Sequence, residues 1–173
     1  EPEKPKEFVL PPASPTMRRL YAYLLQQRFI DRDVLDAFTK RGMIYESCEK
    51  SRAGTKEYHN AVFVGSDEYG TARHAHKRSL YTQGNSFRRN VEGGDPRCSF
   101  HWFGNSGRLY VFEAPIDLLA FLTLYPEAWR EHSYVALCGT SEQAMLWMLE
   151  KDPRIQRVVL CLDHDAAGIE ATG

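Results

Sequence analysis

Leu109-Tyr110-Val111-Phe112-Glu113-Ala114-Pro115-Ile116-Asp117 and Val158-Val159-Leu160-Cys161-Leu162-Asp163-His164-Asp165-Ala166-Ala167-Gly168 each begin as a short apolar run that stops on acid. Neither run alternates with polar residues, which suits strands buried on both faces of a parallel sheet. A third such run, Ser133 to Cys138, lies between them and is followed by Gly139-Thr140. The intervening segments have helical spacing: Ile116, Leu119, Ala120 and Thr123 in one, Ala144, Met145, Met148 and Leu149 in the other. The order is β-α-β-α-β, opening into a further helix. It predicts an α/β, doubly wound, mostly parallel sheet with right-handed crossovers.

Ligands of such sheets bind at the carboxyl ends of the strands. Glu113 and the pair Asp163 and Asp165 fall there. The two aspartates are two apart, so on extended backbone they share a side. Three carboxylates at one sheet edge repel one another and stay ionised together around a cation. Their hard oxygens suit Mg²⁺, with Mn²⁺ as a second choice. Magnesium held this way keeps waters and recruits phosphate oxygens. The residues therefore point to metal-dependent phosphoryl transfer, with Glu113, Asp163 and Asp165 as catalytic and metal-binding groups. Single residues have other readings. Asp165 can cap a helix opening at Ala166. Glu113 ahead of Pro115 suits a helix start. Asp117 can cap, orient a neighbour or pair with a base. Asp163 ends a buried strand, where a charge is costly without a metal or donors.

The 173 residues, 43% hydrophobic, suffice for one good core or one domain with a smaller one attached. There is no apolar run of the roughly 18 residues that a membrane span needs, and the Pro- and charge-rich start is not a signal peptide. Cys48, Cys98, Cys138 and Cys161 stand singly, which argues against a zinc ribbon and fits a reducing cytoplasm. Cys138 and Cys161 fall in the expected buried strands and read as inert thiols. The formal net charge of −1 hides an asymmetry: residues 71–108 carry seven Lys/Arg against two acids, and residues 109–173 four against ten. A basic segment beside an acidic metal-binding one is a plan for handling nucleic acid. A solvated basic surface is the competing reading.

Residues 1–15 hold five prolines and read as an extended leader that packs through Phe8, Val9 and Leu10. A helix is expected after Thr16 as N-cap, burying Met17, Leu20, Tyr21 and Leu24 and leaving Arg18, Arg19 and Arg28 on its polar face. Asp31 caps a second helix that buries Val34, Leu35 and Phe38 and stops at Gly42. Residues 46–57 read as a loop. Tyr58 to Val64 and Thr71 to Leu80 read as a hairpin around the turn at 65–70. The return strand carries Arg73, His74, His76, Lys77 and Arg78. Its histidines read as solvated or phosphate-facing rather than as zinc ligands, since no third ligand stands nearby. Residues 81–108 read as irregular. Their arginines, Arg88 and Arg89 above all, are set among Phe87, Phe100, Trp102 and Phe103, which suits single-stranded nucleic acid. The alternative is that the aromatic residues dock this segment on the sheet. Arg73, Lys77, Arg78, Arg88 and Arg89 are the expected nucleic-acid contacts. Tyr21 and Tyr23 read as core or rim residues, with base stacking as the alternative.

The Glu113 strand, Gly139-Thr140 and Asp163-x-Asp165-x-Ala167-Gly168 resemble the TOPRIM domain shared by bacterial primases, topoisomerases and some nucleases. Ala114, His164 and Ala166 depart from the primase pattern of Gly, Gly and Arg. Asn60, Val62, Phe63, Gly70 and Arg78 resemble the part of the primase core that precedes TOPRIM. The whole chain resembles proteins in which a DUF3991 segment precedes TOPRIM, often encoded on mobile or conjugative elements. The resemblance implies a Rossmann-like TOPRIM domain over 109–173, incomplete at its carboxyl end, preceded by a small basic α+β subdomain over 16–108. It also implies that the Asp pair holds Mg²⁺, with Glu113 as ligand or general acid/base. Primases hold a further acidic pair beyond a fourth strand, so the sequence reads as a piece of a longer protein.

Three functions fit these residues. One is primase-like nucleotidyl transfer on single-stranded DNA from nucleoside triphosphates. The second is a TOPRIM nuclease cleaving DNA of a mobile element. The third is a non-catalytic DNA-binding module working with conjugation or replication proteins. A haloacid-type phosphatase also has Asp-x-Asp, but after its first strand rather than its third.

Overall fold

The structure is a computed structural model that describes residues 6–81 and 87–162. Among the described residues, two four-stranded sheets make up the β structure. The first runs β1 (Ile44–Lys50), β2 (Glu57–Ser66), β3 (Ala72–Ser79) and β4 (Arg88–Asn90), each antiparallel to the next. The second contains β5 (His101–Trp102), β6 (Arg108–Phe112), β7 (Ser133–Ala136) and β8 (Arg157–Cys161) in the order β5-β7-β6-β8. Here β6 pairs in parallel with both β7 and β8, and only the short edge strand β5 is antiparallel.

Two crossover helices complete the expected βαβαβ unit: α3 (Pro115–Leu124, numbered after the two amino-terminal helices below) and α4 (Gln143–Lys151). Pro115 opens α3 at its first position, where a missing N–H costs nothing and φ is already set. The helix buries Ile116, Leu118, Leu119 and Leu122, a wider face than the spacing alone suggested, because it is covered on more than one side. α4 buries Ala144, Trp147 and Met148 against β7. The chain goes from β6 to β7 on one side and then crosses to β8 on the other. β6 is therefore central, and a crevice opens at its carboxyl end where the strand order reverses.

The amino-terminal helices are α1 (Arg18–Tyr21), which continues as a π-helical turn over Ala22–Gln27, and α2 (Arg32–Thr39). α2 is capped as expected: the Asp31 carboxylate accepts from the Asp33 and Val34 amides. α2 ends at Thr39, and Gly42 takes the left-handed φ of 71° two residues beyond its C-cap. α1 differs from expectation. Thr16 does not cap it; instead the Glu46 carboxylate accepts from the Leu20 amide at 2.9 Å.

That contact also explains why the first part of the expected 46–57 loop, up to Lys50, is strand instead; only residues 51–56 form a turn before β2. Ile44–Lys50 is a strand that turns the polar Glu46 and Ser47 inward. Glu46 is 1% exposed because its second oxygen accepts from His59 Nδ1 at 2.6 Å. Buried polar groups with partners look like a loop in composition and act as core in space. The leader packs, but through Phe8 and its backbone rather than through all three expected residues: Val9 and Leu10 are exposed. Cys48 donates its amide to Pro12 O, Ser14 to Glu46 O, and Phe8 lies against Val62, Val64 and Ala75.

The stretch 81–108 is likewise less irregular than its glycines suggested, with β4, a 3-10 turn at Pro96–Cys98 and β5. Its aromatic residues divide. Phe100 and Trp102 dock in the core, with ring centroids 5.4 and 5.3 Å from Phe38. Phe87 and Phe103 stay exposed. Gly65 lets the hairpin meet this segment, since a Cβ there would fall 1.7 Å from Cys98 O.

The expectation of solvated histidines is overturned. His74 and His76 are 2% and 7% exposed, on the inward face of β3. Burial, with His76 adding to it, pushes His74 from 6.5 down to about 4, and burial also lowers His76. The unfolded chain then takes up these protons at higher pH than the folded one. Stability is accordingly full above about pH 7 and declines as pH falls from about 6.5 toward 4, by roughly 3 kcal/mol for His74 alone. Urea melts at pH 7.5 and 4.5 check this, and His74→Gln is expected to flatten the dependence.

Candidate nucleic-acid and metal site

Glu113 follows the last residue of β6, and its backbone is tied down from β7's side. The Cys138 amide donates to Glu113 O at 2.8 Å. Cys138 and Gly139 take left-handed φ of 55° and 73°, and Thr140 Oγ1 donates back to Leu137 O at 2.6 Å. The Gly139-Thr140 pair thus folds the chain sharply over the Glu113 position. The Cys138 thiol is buried there and pushed up to about 12, which suits an inert side chain.

The pairing of Phe112 with Cys161 brings the ends of β6 and β8 side by side. Leu162 and Glu113 therefore leave adjacent parallel strands at the same edge. Asp163, Asp165, Ala167 and Gly168 lie outside the described residues. The donor set expected at this edge is all carboxylate oxygen, which fits a small hard cation and not a thiophilic one.

A cleft of about 430 Å³ opens at Glu113, lined by His76, Arg88, Arg89, Asn90, Glu113, Ala114, Cys138 and Gly139. A neighbouring cleft of about 300 Å³ shares Arg88 and Ala114 and adds Arg28, Arg78, Phe87 and Asp117. The basic hairpin sheet and the carboxyl edge of the parallel sheet thus form opposite walls of one groove. Three expected nucleic-acid contacts, Arg78, Arg88 and Arg89, are in it. The other two are not. Arg73 and Lys77 alternate to the opposite face of β3, where Arg73 pairs with Asp67 at 2.9 Å and Lys77 with Glu49 at 3.1 Å.

Two arrangements were not read from the sequence. Tyr23 accepts hydrogen bonds from Arg28 Nε and Arg78 Nε, both at 3.1 Å, and so brings two guanidinium groups from separate elements to one place. Arg28 has no local signal beyond its position on the polar face of a helix. Asn90 is the second. His76 Nδ1 donates to its Oδ1 at 2.7 Å, and its Nδ2 donates to Cys138 O at 2.9 Å. This bridge fixes the hairpin sheet to the loop that covers Glu113. An amide directly after Arg88-Arg89 was the available hint, since its side chain can accept from one wall and donate to the other. Tyr21 is held elsewhere, its hydroxyl donating to Asp36 Oδ1 at 2.6 Å between α1 and α2.

Comparison with known proteins agrees with this architecture. Residues 22–106 match the family described as protein of unknown function DUF3991, and residues 110–173 match the family described as Toprim-like. An uncharacterized protein of Bacillus anthracis, pXO2-78, is 27% identical over 171 residues, covering 87% of this chain and 44% of that protein. The chain therefore spans less than half the length of this curated relative. Among solved structures, the primase fragment of the bacteriophage T7 primase-helicase superposes with a TM-score of 0.59 at 18% identity, covering 85% of this chain and 56% of that one. The E. coli primase catalytic core gives 0.58 at 16%, covering 91% and 59%. A DnaG primase catalytic domain bound to ssDNA gives 0.55 at 18%, covering 91% and 60%. At these identities the likeness is one of fold. The chain thus matches a DUF3991 segment followed by a Toprim-like domain, on a fold similar to that of the primase catalytic cores.

Proposed function

We propose that this protein carries out metal-dependent nucleotidyl transfer on single-stranded DNA, in the manner of a primase. The observation that carries the reading is the groove itself, in which Arg28, Arg78, Arg88 and Arg89 face Glu113 and Asp117 at the carboxyl edge of the parallel sheet. Guanidinium groups suit backbone phosphates, and exposed Phe87 beside them suits a stacked base. Glu113, Asp163 and Asp165 would hold Mg²⁺ or Mn²⁺, which supplies charge neutralisation for a transferring phosphoryl group. In this reading Glu113 would also take or give a proton at a reacting hydroxyl. The likeness to primase cores supports the assignment of the groove to a template and nucleoside triphosphates. The pXO2 designation of the Bacillus anthracis relative supports a mobile-element setting, with conjugation or replication proteins as partners. No helix among the described residues is long and apolar enough to cross a membrane, which is compatible with a place in the cytoplasm.

The test is incubation of the chain with single-stranded template, nucleoside triphosphates and Mg²⁺, followed on gels for new oligonucleotides. Cleavage of labelled DNA without synthesis would replace this reading with a nuclease. Binding without either product would make the chain a DNA-binding module.

The groove also predicts which arginines matter for binding. Removing one phosphate-binding cation lowers the slope of log K against log salt by about 0.7 for single strands. Arg88→Ala is expected to weaken single-stranded DNA binding and reduce that slope by about this amount. Arg73→Ala, on the opposite face and paired with Asp67, is expected to leave the slope unchanged. Fluorescence anisotropy across a salt series measures both. Equal effects would place the DNA elsewhere.

A further inference from the structure

The hairpin sheet carries a cluster that the proposed activity does not use. Cys48 on β1 stands opposite His59 on β2, and Glu57 lies two residues before His59 on the same face. One ligand atom from each of Cys48, Glu57 and His59 falls within 4.8 Å of the others. Glu57 Oε2 is 3.6 Å from His59 Nε2. His59 is 6% exposed, and its Nε2 is a buried atom with no hydrogen-bond partner among the described residues.

The other ring nitrogen explains the orientation. Glu46 is a carboxylate acceptor, so the Nδ1 proton of His59 is directed to it at 2.6 Å. A neutral imidazole held that way presents the Nε2 lone pair toward Cys48 and Glu57. A buried carboxylate fixing the far nitrogen of a histidine is the outer-shell arrangement of metal-binding histidines. Glu46 is itself fixed by the Leu20 amide. We propose that Cys48, Glu57 and His59 form a second divalent-metal site, selective for Zn²⁺ over Mg²⁺.

The ligand set determines the selectivity. Thiolate and imidazole are borderline-soft donors that suit zinc, whereas magnesium takes oxygen alone. Three protein ligands leave a fourth position, and the Glu57 side chain is 57% exposed, so water can supply it. The ion would clamp β1 to β2 next to the turn at 51–56. Its loss would act on the hairpin whose Glu46 caps α1, away from the Glu113 groove.

The experiment uses the whole chain, stripped with a chelator and kept reduced, titrated with Co²⁺ as a spectroscopic substitute for zinc. The expected result is one equivalent giving a thiolate-to-cobalt charge-transfer band in the near ultraviolet and tetrahedral bands in the visible. Zn²⁺ is expected to displace it and Mg²⁺ in excess is not. Cys48→Ser is expected to lose the charge-transfer band, and Glu113→Gln to keep it. Zn²⁺ is expected to raise the melting temperature of the parent but not of Cys48→Ser. Cys48 and Glu57 are not fully buried, so circular dichroism of Cys48→Ser and Glu57→Gln serves as the folding control. A parent chain without the band would overturn the site, leaving His59 as an ion-pair bridge between Glu46 and Glu57. A band that survives Cys48→Ser would overturn it equally, by assigning the cobalt to another cysteine.

Discussion

Glu113→Gln is expected to lower metal-dependent product formation by roughly 10²- to 10³-fold, the usual effect of removing one group that stabilises charge in a transition state. Melting temperature and circular dichroism are expected to stay the same. The side chain lies at the carboxyl end of the central strand of a parallel sheet, beside the strand that leads to Asp163. The amide is isosteric, and the backbone contact that shapes the site, Cys138 N to Glu113 O, is untouched. Only the charge is removed. Asp163→Asn is expected to act the same way, and the double variant to be little worse than either, because groups that act as a unit are not additive. Calorimetric titration with Mg²⁺ at low salt is expected to lose its signal in both single variants. Unchanged turnover in Glu113→Gln would remove the catalytic reading, and intact DNA binding beside it would leave the binding module.

The parallel half of the fold was legible because its strands carry their signal locally. Leu109 to Phe112 and Val158 to Leu162 are apolar without alternation, and Pro115 marks a helix start. The second run is not buried on both faces as expected: among the described residues β8 is an edge strand, with Val158 exposed and Leu160 and Cys161 half-buried. The hairpin half was less so. Glu46, Ser47, His59, Asn60, His74 and His76 are buried, and composition reads such residues as surface. What buries Glu46, His59 and His76 is pairing across long sequence distance, with Leu20, Glu46 and Asn90 respectively, and the strand pairing of the hairpin carries the others inward with them. The candidate site shows the same division. Glu113 was placed by a strand end, which is local. The separation of Arg78 and Arg88 from Arg73 and Lys77 depends on which face of β3 meets the parallel sheet. Alternation along the strand gives two faces but does not say which one is covered. The groove was therefore foreseeable as a basic segment near acids, and its actual walls were not.

Phe38→Ala is expected to destabilise the chain by about 3–5 kcal/mol, the range for removing a fully buried aromatic side chain. Phe38 is 0% exposed and comes from α2. It stacks on Trp129 at 5.6 Å and 12°, and meets Phe100 and Trp102. Trp102 in turn lies under Arg41, whose guanidinium is 4.2 Å from the ring centroid. These residues come from the amino-terminal helices, the linking segment and the loop before β7, so the cavity would open where the two sheets' coverings meet. One buried cluster includes Leu20, Phe63, Phe112, Leu118 and Tyr134 together. A cluster shared in this way ties the two halves into one cooperative unit. Urea unfolding followed by tryptophan fluorescence and by far-ultraviolet circular dichroism is therefore expected to give coincident transitions in the parent. In Phe38→Ala both are expected to move to lower urea together. Tyr69→Ala, at a side chain 84% exposed, is expected to change stability by no more than about 0.5 kcal/mol. Separate transitions in the parent would mean that the halves fold alone. The groove between Arg88 and Glu113 would then be a joint between two bodies rather than a crevice held by a common core.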